Sequence, residues 1–142
     1  FREAPSTPGR PGVPDAGAAL HAFKQRFFRD HPAGRTTKHV ADPWKGSAAK
    51  RLCMYLRWMA RPAQRGVDLG LWSGIPLAAL RLPLDVHTGN VARELGLLKR
   101  KASDWRAVEE VTDVLRMLDP DDPVRYDFAL FGMGVTGALA LK

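Results

Sequence analysis

Cysteine is nearly absent from this chain. Cys53 stands alone, which excludes an internal disulfide and any cysteine-held cluster. No apolar run approaches the roughly 20 residues of a membrane-spanning helix. No signal-peptide pattern opens the chain, so the expectation is a cytoplasmic protein with no membrane partner. The four histidines offer no second His or Cys at ligand spacing, and neither a metal nor any other cofactor is expected. Alternating strand patterns with hairpin turns are also missing, which leaves an all-α reading. Acid is scarce in one place. Of 22 Lys and Arg and 15 Asp and Glu, residues 35–65 hold eight bases and one acid, Asp42, leaving 14 of each elsewhere. The whole net charge of +7 therefore sits in one block, Arg35, Lys38, Lys45, Lys50, Arg51, Arg57, Arg61 and Arg65, as expected either for a polyanion partner or for a solvated basic face.

What is present reads as one helical bundle, with hydrophobic residues at 45% of a 142-residue chain. Residues 1–15 are rich in Pro and Gly and read as a flexible tail or linker; residues 16–142 read as the helical domain. The chain opens on Phe1 rather than Met, which suggests a trimmed product or a fragment. Leu20, Phe23, Phe27 and Phe28 mark a helix over 16–31, ended by Pro32 and Gly34. The stretch "GSAAKRLCMYLRWMARP" is the clearest helix, with Ser47 as its N-cap and Pro62 as its stop. On it, Lys50, Arg57 and Arg61 fall within one narrow stripe. "GVDLGLWSGI" and "PLAALR" suggest short helical turns. Helices over 87–98, 104–118 and 123–135 complete the chain, with Ser103 or Asp104 capping the second and Pro123 opening the last.

"LPLDVHTGNVARELGLL" sets the carboxylate of Asp85 just before a helix, where it caps N–H groups and stays ionised. Taken alone, Asp85 reads as a structural cap and His87 as a satisfied polar residue. Lys50, at a helix start, faces the positive end of the dipole, at a cost of a few tenths of a kcal/mol, so structure alone does not favour it there. The four tryptophans, Trp58 among them, read mostly as core. Tyr126, Ala129, Leu130 and Met133 form one helical face.

"PLDVHTGNVAR" resembles the signature around the catalytic aspartate of the helix–hairpin–helix DNA glycosylase superfamily, which includes endonuclease III and the archaeal 8-oxoguanine glycosylases. Residues 23–135 are most similar to an uncharacterised bacterial family within it, through "KHVADPWKGSAAKRL", "RGVDLGLW", "PLDVHTGNVAR" and "DDPVRYDFALFGMGV". The resemblance implies Asp85 as catalytic carboxylate and Lys50, 35 positions earlier, as Schiff-base nucleophile. It further implies damaged or abasic double-stranded DNA as partner, contacted by Lys45, Gly46, Ser47, Arg51, Arg57 and Arg61, with His87, Arg93, Trp58 and Tyr126 near the pocket. The usual hairpin has two glycines, whereas Gly46 stands alone before Ser47. A long helical region that precedes residue 23 in the family has only the Pro/Gly-rich stretch in its place, so a partial domain is expected. The leading expectation is a DNA repair glycosylase with AP-lyase chemistry; the alternatives are a non-catalytic nucleic-acid-binding module and an inactive truncated remnant.

Overall fold

A computed structural model describes residues 1, 3–30 and 34–138, with the Arg65 side chain outside the description. The structure is an all-α bundle of α1 (Ala16–Phe27), α2 (Lys50–Ala60), α3 (Val86–Glu94), α4 (Trp105–Leu118) and α5 (Asp127–Thr136). Single 3-10 turns punctuate the connections, and among the described residues there is no strand. None of these helices is long and apolar enough to cross a membrane.

Several boundaries differ from the sequence reading. The end of α1 expected at His31 and Pro32 lies outside the described residues; the helix itself stops at Phe27. Residues 1–15 do not form a loose tail. Residues 3–15 fold into a closed loop in which Thr7 N–H donates to Val13 O and Asp15 N–H to Pro5 O, both at 2.7 Å, while Phe1 packs against the core. The same Pro and Gly that read as a flexible tail or linker here build turns. Residues 66–76 are irregular, and the helix expected from 123 opens as a 3-10 turn, Pro123–Tyr126, before α5 begins.

The core forms around α4. Asp104 caps it by accepting from Ala107 N–H at 3.1 Å, and Ala107, Val108, Val111 and Leu115 present a fully buried stripe at helical spacing. Across that stripe runs an extended strap, residues 80–84, which contributes Leu80, Leu82 and Leu84 to the same core. Each leucine so buried is worth roughly 1.5–3 kcal/mol. A dry extended backbone must still satisfy its polar groups. Leu82 N–H donates to Thr112 Oγ1 at 3.1 Å, and that hydroxyl donates onward to Val108 O at 2.6 Å. Arg116, buried on α4, reaches Ala78 O at 3.1 Å and holds the strap's approach.

The strap delivers the chain directly into α3, and α3 packs on α5. Their approach is close enough that a Cβ on Gly134 would come within 3.0 Å of His87 O, so only glycine fits there. The N-terminus of α3 and the first turns of α5 are thereby brought to one side of the bundle.

Thr112→Val keeps the side-chain volume but leaves Leu82 N–H without an acceptor. Denaturant unfolding is expected to show a loss of about 1–3 kcal/mol, with Thr112→Ser close to wild type. Equal stability of the Val variant would contradict the pinned strap.

Candidate active site

The segment leading into α2 is a tight hairpin. Asp42, buried, caps the 3-10 turn Pro43–Lys45 by accepting from Trp44 N–H at 3.1 Å. Gly46 follows at φ +84°, a left-handed turn that glycine adopts without strain. Its carbonyl accepts from Trp105 N–H at 3.2 Å, and Ser47 bridges to Asp104, so the hairpin is fastened to the start of α4. Ser47 is not the helix cap that its sequence position suggested. Its Oγ accepts from Ala49 N–H at 3.2 Å, and Ala49 occupies the N-cap position with no side-chain cap. Ala49 is also left-handed, at φ +47°, which costs a non-glycine residue about 1–2 kcal/mol. Its side chain is 3% exposed, and burial of the methyl offsets part of that strain.

Beyond the hairpin, α2 opens with Lys50, whose ammonium lies 2.9 Å from Asp85 Oδ2. Asp85 serves two groups at once, because its Oδ1 caps α3 by accepting from Thr88 N–H at 2.8 Å. Burial would raise the Asp85 carboxyl, but Lys50 and the Thr88 N–H outweigh it and hold it below the usual carboxylate range. The pair opens onto a cleft of about 270 Å³, walled by Met54, Trp58, Phe128 and Phe131 with Asp127 in its lining. Lys50 and Asp85 thus converge on one cleft.

Arg57 and Arg61 do not form the exposed cationic stripe that helical spacing suggested. Arg57 is 2% exposed, with its Nη1 on Asp127 Oδ2 at 2.7 Å and its plane 4.0 Å from the Phe128 ring centre. Arg61 donates to Asp68 at 2.6 Å and grips Asp122 through Nε and Nη2 at 3.1 and 2.9 Å. Asp68 also faces Arg57 Nη2 at 3.4 Å. The three aspartates lie outside the basic block in sequence, and they pair with both guanidiniums inside the fold, where spacing alone had put a cationic stripe.

With Lys50 and Asp85 included, the cluster counts three cations (Lys50, Arg57, Arg61) against four carboxylates (Asp68, Asp85, Asp122, Asp127). Burial pushes the Asp127 carboxyl up, Arg57 pulls against it, and the neighbouring charge of Asp85 adds to the rise. Two carboxylates in one cleft are thus tuned in opposite directions.

Of the other candidates, Trp58 lines the cleft, whereas His87, Arg93 and Tyr126 do not. His87 packs under Gly134, edge-on to Phe131 at 6.1 Å. Arg93 donates to Arg100 O and Lys101 O, both at 2.9 Å, and shapes the loop after α3. Tyr126 is half-buried against the core. Lys45, Gly46 and Arg51 are exposed and Ser47 is half-exposed. Sequence reading missed Asp127 and Phe131, although their i, i+4 spacing on α5 places them on one face. It also missed Lys99 and Lys101, exposed on the loop that Arg93 shapes and that returns to the hairpin at Asp104. Cys53 offers no rival nucleophile, since burial pushes its thiol up to about 12. A larger hollow of about 550 Å³, lined by Phe23, Tyr55, Leu71 and Trp72, has no charged side chain among the described residues of its wall.

Residues 10–136 match the model of a protein family described as a protein of unknown function (DUF2400). No curated protein matches the chain, and no solved structure does.

The depressed Asp85 carboxyl carries a pH signature. Folded Asp85 holds fewer protons than unfolded Asp85, whose value is about 3.9, so its stabilisation is complete above that range and fades as pH falls through the folded value. Asp85→Asn keeps a competent helix cap but removes the charge. The stability gap between wild type and Asp85→Asn, read by urea unfolding, is expected to be widest near pH 7 and to close toward pH 3. A gap independent of pH would contradict the assignment.

Proposed function

The chain belongs to the DUF2400 family, whose function is unknown, and from the geometry of the cleft we propose a DNA glycosylase with AP-lyase chemistry. The observation that carries this reading is the Lys50–Asp85 pair, 2.9 Å apart across a bundle and each at a helix start, facing an aromatic-walled cleft. The resemblance of "PLDVHTGNVAR" to the glycosylase signature adds to it. A base flipped out of the duplex needs a flat apolar slot, and Trp58, Phe128 and Phe131 supply aromatic walls.

The chemistry follows from which group can hold which proton. An ammonium is no nucleophile, and Asp85 is the acceptor within proton-transfer distance of Lys50. The freed amine attacks C1′. The C1′–N bond breaks, and its electron pair leaves with the base, which takes up a proton. Ring opening then gives the imine between Lys50 and C1′. Loss of a C2′ proton and cleavage of the C3′–O bond complete β-elimination. As the glycosidic bond breaks, the sugar becomes cationic, and Asp85, once the proton it took from Lys50 has passed to the leaving base, restores a carboxylate beside that charge.

The second reading, a binding module without catalysis, is favoured by one observation. Lys45, Arg51, Lys99 and Lys101 form exposed basic positions around the hairpin whatever Lys50 does. It predicts DNA affinity with no covalent intermediate.

Borohydride trapping on abasic-site DNA separates the two. Wild type is expected to give a covalent adduct and Lys50→Gln none, while Arg51→Gln weakens binding yet still traps. Asp85→Asn is expected to slow base excision by about 10²–10³-fold. No adduct from wild type on any abasic substrate would leave the binding module in its place.

The basic positions have a separate readout. Replacing Lys99 and Lys101 together by Gln is expected to flatten the slope of log affinity against log salt by about 1.8, roughly 0.9 for each phosphate that is no longer neutralised. An unchanged slope would remove the loop from the DNA surface.

A further inference from the structure

Trp44 presents an anomaly that the cleft does not account for. It is 66% exposed, although a tryptophan is the largest apolar surface the chain has to bury. Its position is nevertheless well defined. His21, on α1, lies flat against one face of the indole, with ring centres 4.0 Å apart and planes 14° from parallel. A single buried oxygen fixes both partners, because Asp42 Oδ1 accepts from His21 Nδ1–H at 3.0 Å and from the Trp44 backbone N–H at 3.1 Å. That carboxylate, ionised and acceptor-only, requires the proton on Nδ1 and so sets the imidazole plane. One indole face is therefore backed and the other is presented to solvent.

The chain on either side of this pair is cationic. Lys45 is the next residue and is exposed. Lys24 lies one turn further along α1, close enough to act on the Asp42 carboxyl. The 3-10 turn Arg35–His39 carries exposed Arg35 and Lys38 just before Asp42. Asp42, the one acid of residues 35–65, is turned inward. An exposed aromatic face with cations nearby in the chain is complementary to a nucleotide, with the π-surface for the base and the charges for its phosphates. A basic protein surface would be repelled by the same charges.

We propose that the Trp44–His21 pair is a stacking platform for an unpaired nucleobase, with Lys45 beside it for the adjoining phosphate. This rests on the reading of the chain as a DNA-binding protein, and goes beyond it by assigning a second base-contacting surface outside the Lys50–Asp85 cleft. Base flipping leaves an unpaired partner in the opposite strand, and single-stranded segments offer the same face, so the substrate class is a base outside the duplex stack.

The test compares wild type, Trp44→Leu, Trp44→Phe and Lys45→Gln on a fully paired duplex and on single-stranded DNA carrying a fluorescent purine analogue. Trp44→Leu keeps apolar bulk but has no π-face; Trp44→Phe keeps one. Trp44→Leu is expected to lose about tenfold in single-strand affinity, to change duplex affinity less than about twofold, and to abolish quenching of the analogue without altering the salt slope. Trp44→Phe retains most of the affinity and the quenching. Lys45→Gln weakens both substrates and flattens the slope. Unaltered binding, or equal losses on the two DNAs, overturns the platform while leaving the DNA reading intact. The same holds if Trp44→Leu changes only self-association in sedimentation, which assigns the indole to a protein contact. Absence of any DNA binding by wild type at low salt overturns the platform and the proposed function together.

Discussion

The buried guanidinium of Arg57 is the constraint around which the site is arranged. Removing such a charge from water costs several kcal/mol, which only close, well-oriented carboxylates offset. Asp127 and Asp68 supply them from α5 and from the irregular stretch after α2, and Phe128 covers the guanidinium plane. In meeting that electrostatic demand the chain brings α5 to α2 at one register. Asp127, Phe128 and Phe131 consequently stand opposite Lys50, Met54 and Trp58 across the cleft. Arg61 extends the arrangement to Asp122, just before the turn that starts the α5 segment. The network is structural in its energetics, and the cleft wall is its geometric consequence.

That origin also explains the charge state of the cleft. A cluster with one more carboxylate than cations leaves unequal terms for its members, and position decides which. Asp85 sits at a helix start with two donors and is held low; Asp127 is deeper and has Asp85 for a neighbour, so it is held high. The two acids of one cleft are thus pushed apart, each by its own surroundings. The pair Lys50–Asp85 lies at the more accessible side, with the Lys50 side chain 42% exposed, within reach of a bound molecule.

How much of this was legible depends on whether the signal was local. The caps were: Asp104 before α4 and Asp85 before α3 each bind an N–H three residues on, and a cap needs nothing from elsewhere in the chain. The stripe on α2 misled because spacing places Lys50, Arg57 and Arg61 on one face without saying what that face meets. Its partners, Asp68, Asp122 and Asp127, lie up to 70 positions away. Ser47 misled for a subtler reason. A serine after glycine resembles a cap, but here the chain makes one further left-handed residue, Ala49, before the helix begins. The basic loop at Lys99 and Lys101 was unreadable as part of the hairpin surface, because only the tertiary bond from Trp105 N–H to Gly46 O brings it there.

A strained residue persists only where its surroundings over-determine it, and Ala49 meets that condition from both sides. Upstream, the hairpin is fastened to α4 through Gly46 and Ser47, and to α1 through Asp42 and His21. Downstream, Lys50 is held by Asp85, which is itself committed to the first turn of α3. The left-handed turn at Ala49 is the joint between these two anchored pieces. It sets where α2 starts, and thereby the direction in which the Lys50 side chain leaves the helix. Gly46 alone cannot do this, since it lies four residues back and turns the chain before the ties to Asp104 are made. The joint therefore rests on an alanine whose methyl group is buried while its backbone is left-handed, and the two anchored pieces on either side hold it there.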